Sequence, residues 1–158
     1  MTERLSLPII AVTDMRAATL ASEFIVTSTT AREPFLGPED VRPGTFIAAV
    51  GADNAEKSEL SPELMRRPSV FVDVREQCLT MGDLHHAVAA GSMTQDAVKA
   101  DLAELVAGSN RGRTRANEIT VFDSIGTAVE DVAAAVAIYE RAGSGRIGTP
   151  LRLTDAQR

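Results

Sequence analysis

The sequence predicts an α/β fold built on a mainly parallel sheet with flanking helices. Three observations carry this. Short runs rich in β-branched and aromatic residues recur along the chain. They are apolar on both faces, as parallel strands covered by helices must be. Helix-forming stretches with capping residues lie between them, and strand–helix alternation is the pattern of a parallel sheet.

Taken in order, the strand runs are Leu7–Val12, Phe24–Thr29, Thr45–Val50, Ser69–Val74 and Ile119–Asp123. A helix is expected over Asp14–Ser22, and a turn at Gly37–Pro38. Ser61-Pro62-Glu63-Leu64 reads as an N-cap followed by Pro at the first helical position. A short helix over Asp83–Ala90 ends at Gly91. A longer one over Thr94–Ala107 starts on a capping Thr and stops before Gly108. Thr127–Ala142 carries Ala128, Val129, Val132, Val136 and Tyr139 on one stripe and stops at Gly143. Gly108–Asn117 is polar and basic, an exposed loop. The domain is expected to span 1–143, with a loose tail over 144–158.

Composition narrows the function. A chain of 158 residues fits one domain with a real core, and 44% hydrophobic with 24% charged residues is ordinary globular composition. A net charge of −6, no Trp and one Tyr argue against a nucleic-acid surface. No apolar run is long enough to span a membrane, and no signal peptide is expected behind Met1–Arg4. A single Cys excludes an internal disulfide framework. The expectation is a cytoplasmic protein that handles a small molecule.

Ligands of open parallel sheets sit beyond the carboxyl ends of the strands. Four such ends are polar or glycine-bearing here: Thr27–Thr30, Val50–Asp53, Asp73–Glu76 and Asp123–Gly126. Asp53 follows an apolar strand and a Gly-Ala pair. It is either an acid/base carboxyl with a raised pKa or a turn residue capping Asn54–Lys57. Lys57 meets a phosphate, or pairs with Glu56 or Glu59 in solvent. Ser124 either adds a hydroxyl to an anion-binding helix start or is a plain N-cap. His85 and His86, adjacent on a helix, point apart, so no metal site is expected. Cys78 reads as a small core residue. Gly143-Ser144-Gly145-Arg146-Ile147-Gly148 matches G-x-G-x-x-G, but a helix precedes it and Pro150 follows, so it reads as helix C-cap plus tail.

Several motifs stand in one order: VTSTTAREP, PGTFIAAVGAD with EKSEL, VFVDVREQ, GDLHHAVAAG and EITVFDSIGTAVEDVAAA. From about Leu7 to Ala142 the chain resembles the ornithine cyclodeaminase/mu-crystallin family, which includes amino-acid and imino-acid dehydrogenases. The resemblance implies a partial Rossmann-like domain lacking its first βαβ unit, with NAD or NADP as cofactor. It implies Asp53 as the acid/base residue beside the substrate carbon and Lys57 as a cofactor contact. Thr27 would line the adenosine side, Val50 and Gly51 the loop under the nicotinamide. Ser124 would touch the cofactor and Ile125 the substrate. In the family's chemistry a hydride leaves the amino-bearing carbon, ring closure on the imine expels ammonia, and the hydride returns. The substrate class is a small amino acid or cyclic imine.

Ala48 stands where the family often has Asn. Family chains are much longer. By resemblance this chain lacks the glycine-rich turn, the acidic ribose-binding residue and the N-terminal half with its substrate-carboxylate Arg and Lys. Met1–Ser6 reads as the end of a helix. A homo-oligomer or a complementing N-terminal half is therefore expected, with weak cofactor binding by this chain alone. The alternatives are a non-catalytic, mu-crystallin-like binding protein and a non-functional remnant.

Overall fold

In the computed structural model, which describes residues 6–145 and 147–149, the apolar runs assemble into one sheet. Its strands are β1 (Phe24–Thr27), β2 (Phe46–Ala49), β3 (Ser69–Val72), β4 (Ala100–Asp101) and β5 (Thr120–Asp123). All pairs are parallel, in the order β1-β2-β5-β3-β4. Parallel neighbours need crossovers: short helices lie in those after β2, β3 and β4, and irregular chain makes the one from β1 to β2. The helices are α1 (Met15–Ala21), α2 (Pro62–Met65), α3 (Arg75–Cys78), α4 (Asp83–Ala89), α5 (Leu102–Val106) and α6 (Ala128–Gly145). The chain divides into two compact units after Gly126, so α6 stands as a unit of its own.

Register sorts the side chains by face. Ile25, Ile47, Val121 and Val70 form one row across the sheet, and Thr27, Ala49, Asp123 and Val72 the next. Both rows are buried, in a core that includes Leu60, Leu64, Met65, Leu84 and Ala87. The opposite face carries Phe24, Val26, Phe46 and Phe122. There Phe24 and Val26 of the outermost strand are exposed, and a cavity of about 380 Å³ lies among Phe46, Phe71, Leu102, Leu105 and Phe122.

Local signals explain the helix starts. Ser61 Oγ accepts the Leu64 N–H at 3.1 Å, the N-cap its sequence predicts, and the Asp14 side chain accepts the Ala17 N–H at 3.0 Å and so caps the helix expected over Asp14–Ser22 instead of lying within it. Two expected elements differ. Leu7–Val12 is no strand: it is irregular and exposed, and no described strand pairs with it. Pro8, without an N–H, weakens any ladder there. The single helix expected over Thr94–Ala107 is divided into a 3₁₀ turn (Gln95–Ala97), β4 and α5. Val98 and Ala100 are buried, and the Lys99 N–H donates to the Val70 carbonyl at 2.8 Å. Pairing with β3 thus overrides helix propensity. Asp101 then restarts the helix through a reciprocal capping box with Glu104.

At the other end, α6 continues past the expected stop at Gly143 to Gly145, so Gly143 caps nothing. Most of the expected tail, and Met1–Leu5, lie outside the described residues. Gly108–Asn117 is an irregular and mostly exposed loop, as its composition predicts.

Candidate functional site

The ladder extends past the strand ends and sets the rim. The Val50 N–H donates to the Thr27 carbonyl at 3.0 Å, and the Ser124 N–H to the Ala49 carbonyl at 2.9 Å. Thr27, Val50, Gly51 and Ser124, singled out in the sequence, are therefore side by side at the carboxyl end of the sheet. Thr27 is buried on the covered face and its hydroxyl has no partner. Val50 is 40% exposed and presents an apolar surface at the tip of β2.

Glu59 organises this rim, and sequence reasoning placed it in solvent. It is fully buried. Its Oε1 accepts the Thr29 N–H and its Oε2 the Gly51 N–H, at 3.1 Å for the latter. One carboxylate thus ties together the chain beyond β1 and beyond β2. Gly51 must be glycine for this reason, since a Cβ would collide with the Glu59 carboxylate. The detectable signal was a Glu immediately before the core residue Leu60.

Asp53 and Lys57 form an ion pair at the rim, Nζ to Oδ1 at 2.7 Å. Lys57 is mostly buried and Asp53 mostly exposed. The bond from Lys57, together with its charge, holds the Asp53 carboxyl below the ordinary carboxylate range. This corrects the expectation of a confined Asp53 with a raised pKa: it faces solvent and has a cation beside it. Nor does Asp53 cap the turn. Asn54 Oδ1 accepts the Glu56 and Lys57 N–H groups instead. Glu56 pairs with Arg32 at 3.1 Å, leaving Lys57 to Asp53.

Ser124 does not cap α6, which starts four residues later. Its hydroxyl donates to Asp73 Oδ2 at 2.8 Å, and the Ile125 and Gly126 N–H groups donate to the same oxygen at 3.0 and 2.9 Å. The N–H groups expected to attract an anion are thus held by an internal carboxylate. Ile125 is half-buried, its Cγ2 close to Gly82. Gly82 has φ +90°, a conformation that favours glycine, and a Cβ there would press on the Ile125 and Asp123 side chains at 3.1 and 3.2 Å.

Behind the rim, α4 turns its histidines to backbone: His86 Nε2 lies 2.9 Å from the Lys57 carbonyl, and His85 Nδ1 3.1 Å from the Leu79 carbonyl. Cys78 is buried. Desolvation, then the bond it donates to Asp73, pushes its thiol pKa up, as suits an inert core residue. Among the described residues, no three His, Cys, Asp or Glu side chains are grouped to hold a metal ion. No described helix is long and apolar enough to cross a membrane.

The model of the ornithine cyclodeaminase/mu-crystallin family matches residues 1–146, nearly the whole chain. The chain belongs to that family. It is similar to the alanine dehydrogenase of Archaeoglobus fulgidus, 38% identical over 130 residues, which are 82% of this chain and 40% of that protein. The iminosuccinate reductase of Paracoccus denitrificans, solved with NAD+, superposes with a TM-score of 0.83 at 35% identity, over 96% of this chain and 46% of that one. The Δ1-pyrroline-2-carboxylate reductase of Thermococcus litoralis, solved with NADH and L-proline, gives 0.84 at 34% identity, over 95% and 47%. The chain therefore spans less than half the length of these relatives. The fold they share with this family member is the partial, Rossmann-like parallel sheet that the motifs imply.

Proposed function

We propose that this chain is the cofactor-binding and proton-transferring part of an NAD(P)-dependent enzyme. The enzyme would interconvert a small amino acid and its imine, or reduce a cyclic imino acid. The observation that carries this is the Asp53–Lys57 pair beside Val50 at the rim. The family membership and the likeness to reductases of imines support it.

The residues present fit such a cofactor. Val50 offers an apolar platform for a flat ring, Lys57 a cation for a phosphate, and the buried Thr27 hydroxyl an unfilled polar group on the same edge. Val50 and Gly51 would underlie the nicotinamide, Thr27 would border the adenosine side, and Ser124 would complete the contact. Ile125 would border the substrate. Bound there, the cofactor supplies the hydride acceptor or donor.

Asp53 does the proton work. Asp53, ionised at neutral pH, would take a proton from the substrate's ammonium on Oδ1 or Oδ2 and free the neutral amine, whose loss of hydride to the bound cofactor would leave the cationic imine. In the reductive direction the same oxygen returns the proton. Lys57 orients the carboxylate and sets its basicity. Binding of the substrate carboxylate falls to a complementing N-terminal half or to another copy in a homo-oligomer.

The test is NAD(P)H consumption with a panel of small cyclic and acyclic imino acids, by the chain alone and after an N-terminal half from a relative is supplied. Turnover is expected in the second case. A folded, complemented protein that consumes no reduced cofactor with any of them would count against the reading and favour a binding protein.

A further inference from the structure

Four carboxyl groups are buried at the carboxyl end of the sheet: Glu59, Asp73, Asp83 and Asp123. No Lys or Arg among the described residues forms an ion pair with any of them. A buried carboxylate survives without a cation only when donors fill its oxygens. For two of the four, donors do. Glu59 receives an N–H on each oxygen. Asp73 receives the Val74 N–H and Cys78 Sγ–H on Oδ1, and the Ser124 hydroxyl with two backbone N–H groups on Oδ2.

Asp83 and Asp123 are different. Asp83 Oδ1 accepts the Glu59 and Leu60 N–H groups at 2.8 and 3.0 Å and the Ser58 hydroxyl at 3.3 Å, while Oδ2 has no partner. Asp123 Oδ2 accepts the Leu84 N–H at 2.8 Å, while Oδ1 has none. The two groups are neighbours. Asp123 is bonded to Leu84, the residue after Asp83, and lies against Gly82, the residue before it. Each carboxyl thus contributes one filled and one orphaned oxygen. A buried oxygen without a donor disfavours the charged form, so a proton on one of the two carboxyls relieves its desolvation and the repulsion between them.

We propose that the Asp83–Asp123 pair holds one proton at neutral pH, and that this proton, by keeping two buried anions from facing each other, keeps the start of α4 latched to the end of β5. The latch reaches the rim. Asp83 holds the Ser58–Leu60 segment, and Glu59 in that segment holds the Thr29 and Gly51 amides. Loss of the proton sets two anions against each other and loosens that chain of bonds, so the device is alkaline-sensitive.

The electrostatics agree. Burial, then the charge of Asp83, raises the Asp123 carboxyl to about 8, and burial raises Asp83 as well. The groups facing the pair are Asp73 from beyond β3, Cys78 from α3 and Glu59 from the segment before α2. All are acidic or neutral. The α4 histidines are bonded elsewhere. Among the described residues no cation pairs with either carboxyl in place of the proton.

Infrared spectroscopy of the folded wild-type chain tests this directly. A protonated, desolvated carboxylic acid gives a carbonyl band that a carboxylate lacks. The band is expected at about pH 6 and is expected to vanish with a midpoint near 8. Asp123→Asn keeps the acceptor for Leu84 and removes one of the two acids, so Asp83 no longer has an anion to oppose it, and the variant is expected to fold and to lack the band. Amide exchange at Glu59, Leu60 and Leu84, corrected for its intrinsic pH dependence, is expected to accelerate in the wild type above that midpoint and to stay level in Asp123→Asn. Absence of the band from wild-type protein at about pH 6 overturns the proposal, as does a band that persists in Asp123→Asn. If Asp123→Asn does not fold, the wild-type titration decides alone. None of these readouts depends on catalysis, so the proposal stands or falls apart from the assigned function.

Discussion

Glu59 and Gly51 meet across the rim: the Gly51 N–H donates to Glu59 Oε2 at 3.1 Å, and the glycine leaves no room for a Cβ against that carboxylate. The relationship joins a backbone requirement to a buried charge. Two changes should therefore converge. Gly51→Ala displaces the carboxylate and is expected to cost about 2–4 kcal/mol, combining overpacking with a weakened charged hydrogen bond. Glu59→Ala leaves the Thr29 and Gly51 amides unfilled and is expected to cost about 3 kcal/mol. Urea denaturation of each variant measures this. Losses within about 0.5 kcal/mol, as at an ordinary surface position, would show that the carboxylate holds nothing.

The Asp53–Lys57 pair predicts a separation of roles. In protein complemented with an N-terminal half, Asp53→Asn keeps the size of the side chain but cannot carry a proton. Turnover is expected to fall ~10²–10⁴-fold, about 3–5 kcal/mol in the barrier, with cofactor affinity nearly unchanged. Lys57→Met removes the bond that holds the Asp53 pKa down, so that pKa is expected to rise. The basic form then appears at higher pH, and the acid limb of the pH–rate profile shifts in the alkaline direction. Turnover by Asp53→Asn within about threefold of wild type would refute the proton-carrying role.

The sequence was most readable where local chemistry decides the outcome. Ser61 and the β-branched strand cores of β1, β2, β3 and β5 sit where their patterns predict. The expected strand over Leu7–Val12 failed because a strand is made by its partner, and a continuous apolar run names none. At Val98–Ala100 the reverse happened: tertiary pairing with β3 broke a good helical pattern. The rim residues were legible as polar strand ends. Their acid network was not, because Glu59, Asp83 and Asp123 resemble solvated charges until register turns them inward. Asp123, for example, shares a row with Thr27, Ala49 and Val72 on the covered face.

Glu118 gives an acid-side prediction. Its carboxylate accepts from the Ser69 hydroxyl at the start of β3 and from the Thr114 and Arg115 N–H groups, which pins the loop before β5. The Ser69 bond first, then those amides, bring its pKa down to about 2. A lowered folded-state pKa adds stability above the ordinary value of 4.5 that fades as pH falls toward 2. The side chain is half-buried at the surface, where solvent screens its charge, so the effect on global stability is small and the local one is the better readout. NMR titration of the Glu118 carboxyl is expected to give a midpoint near 2 in the wild type. In Ser69→Ala the midpoint is expected to move up toward the ordinary value. Equal midpoints in the two proteins would show that the hydroxyl does not hold it.

The last prediction concerns the edge of the sheet. In the described structure β1 pairs only with β2, so its outer backbone edge is free, and Phe24 and Val26 are exposed on the less covered face. The Phe24 ring lies against Phe46, with centroids 6.1 Å apart, so the edge is continuous with the apolar face. An apolar, unpaired edge recruits other chains, and natural proteins guard such edges with lysine. The open edge of the described sheet is therefore at β1. Self-association of the chain is expected to rise with concentration in light scattering. Val26→Lys is expected to suppress it while changing stability by no more than about 0.5 kcal/mol, since Val26 is a surface residue. The same substitution is expected to weaken capture of a complementing N-terminal half, because both partners would use one edge. A wild-type chain that stays monomeric at high concentration removes the first expectation. A Val26→Lys chain that associates as strongly as wild type shows that the contact lies elsewhere.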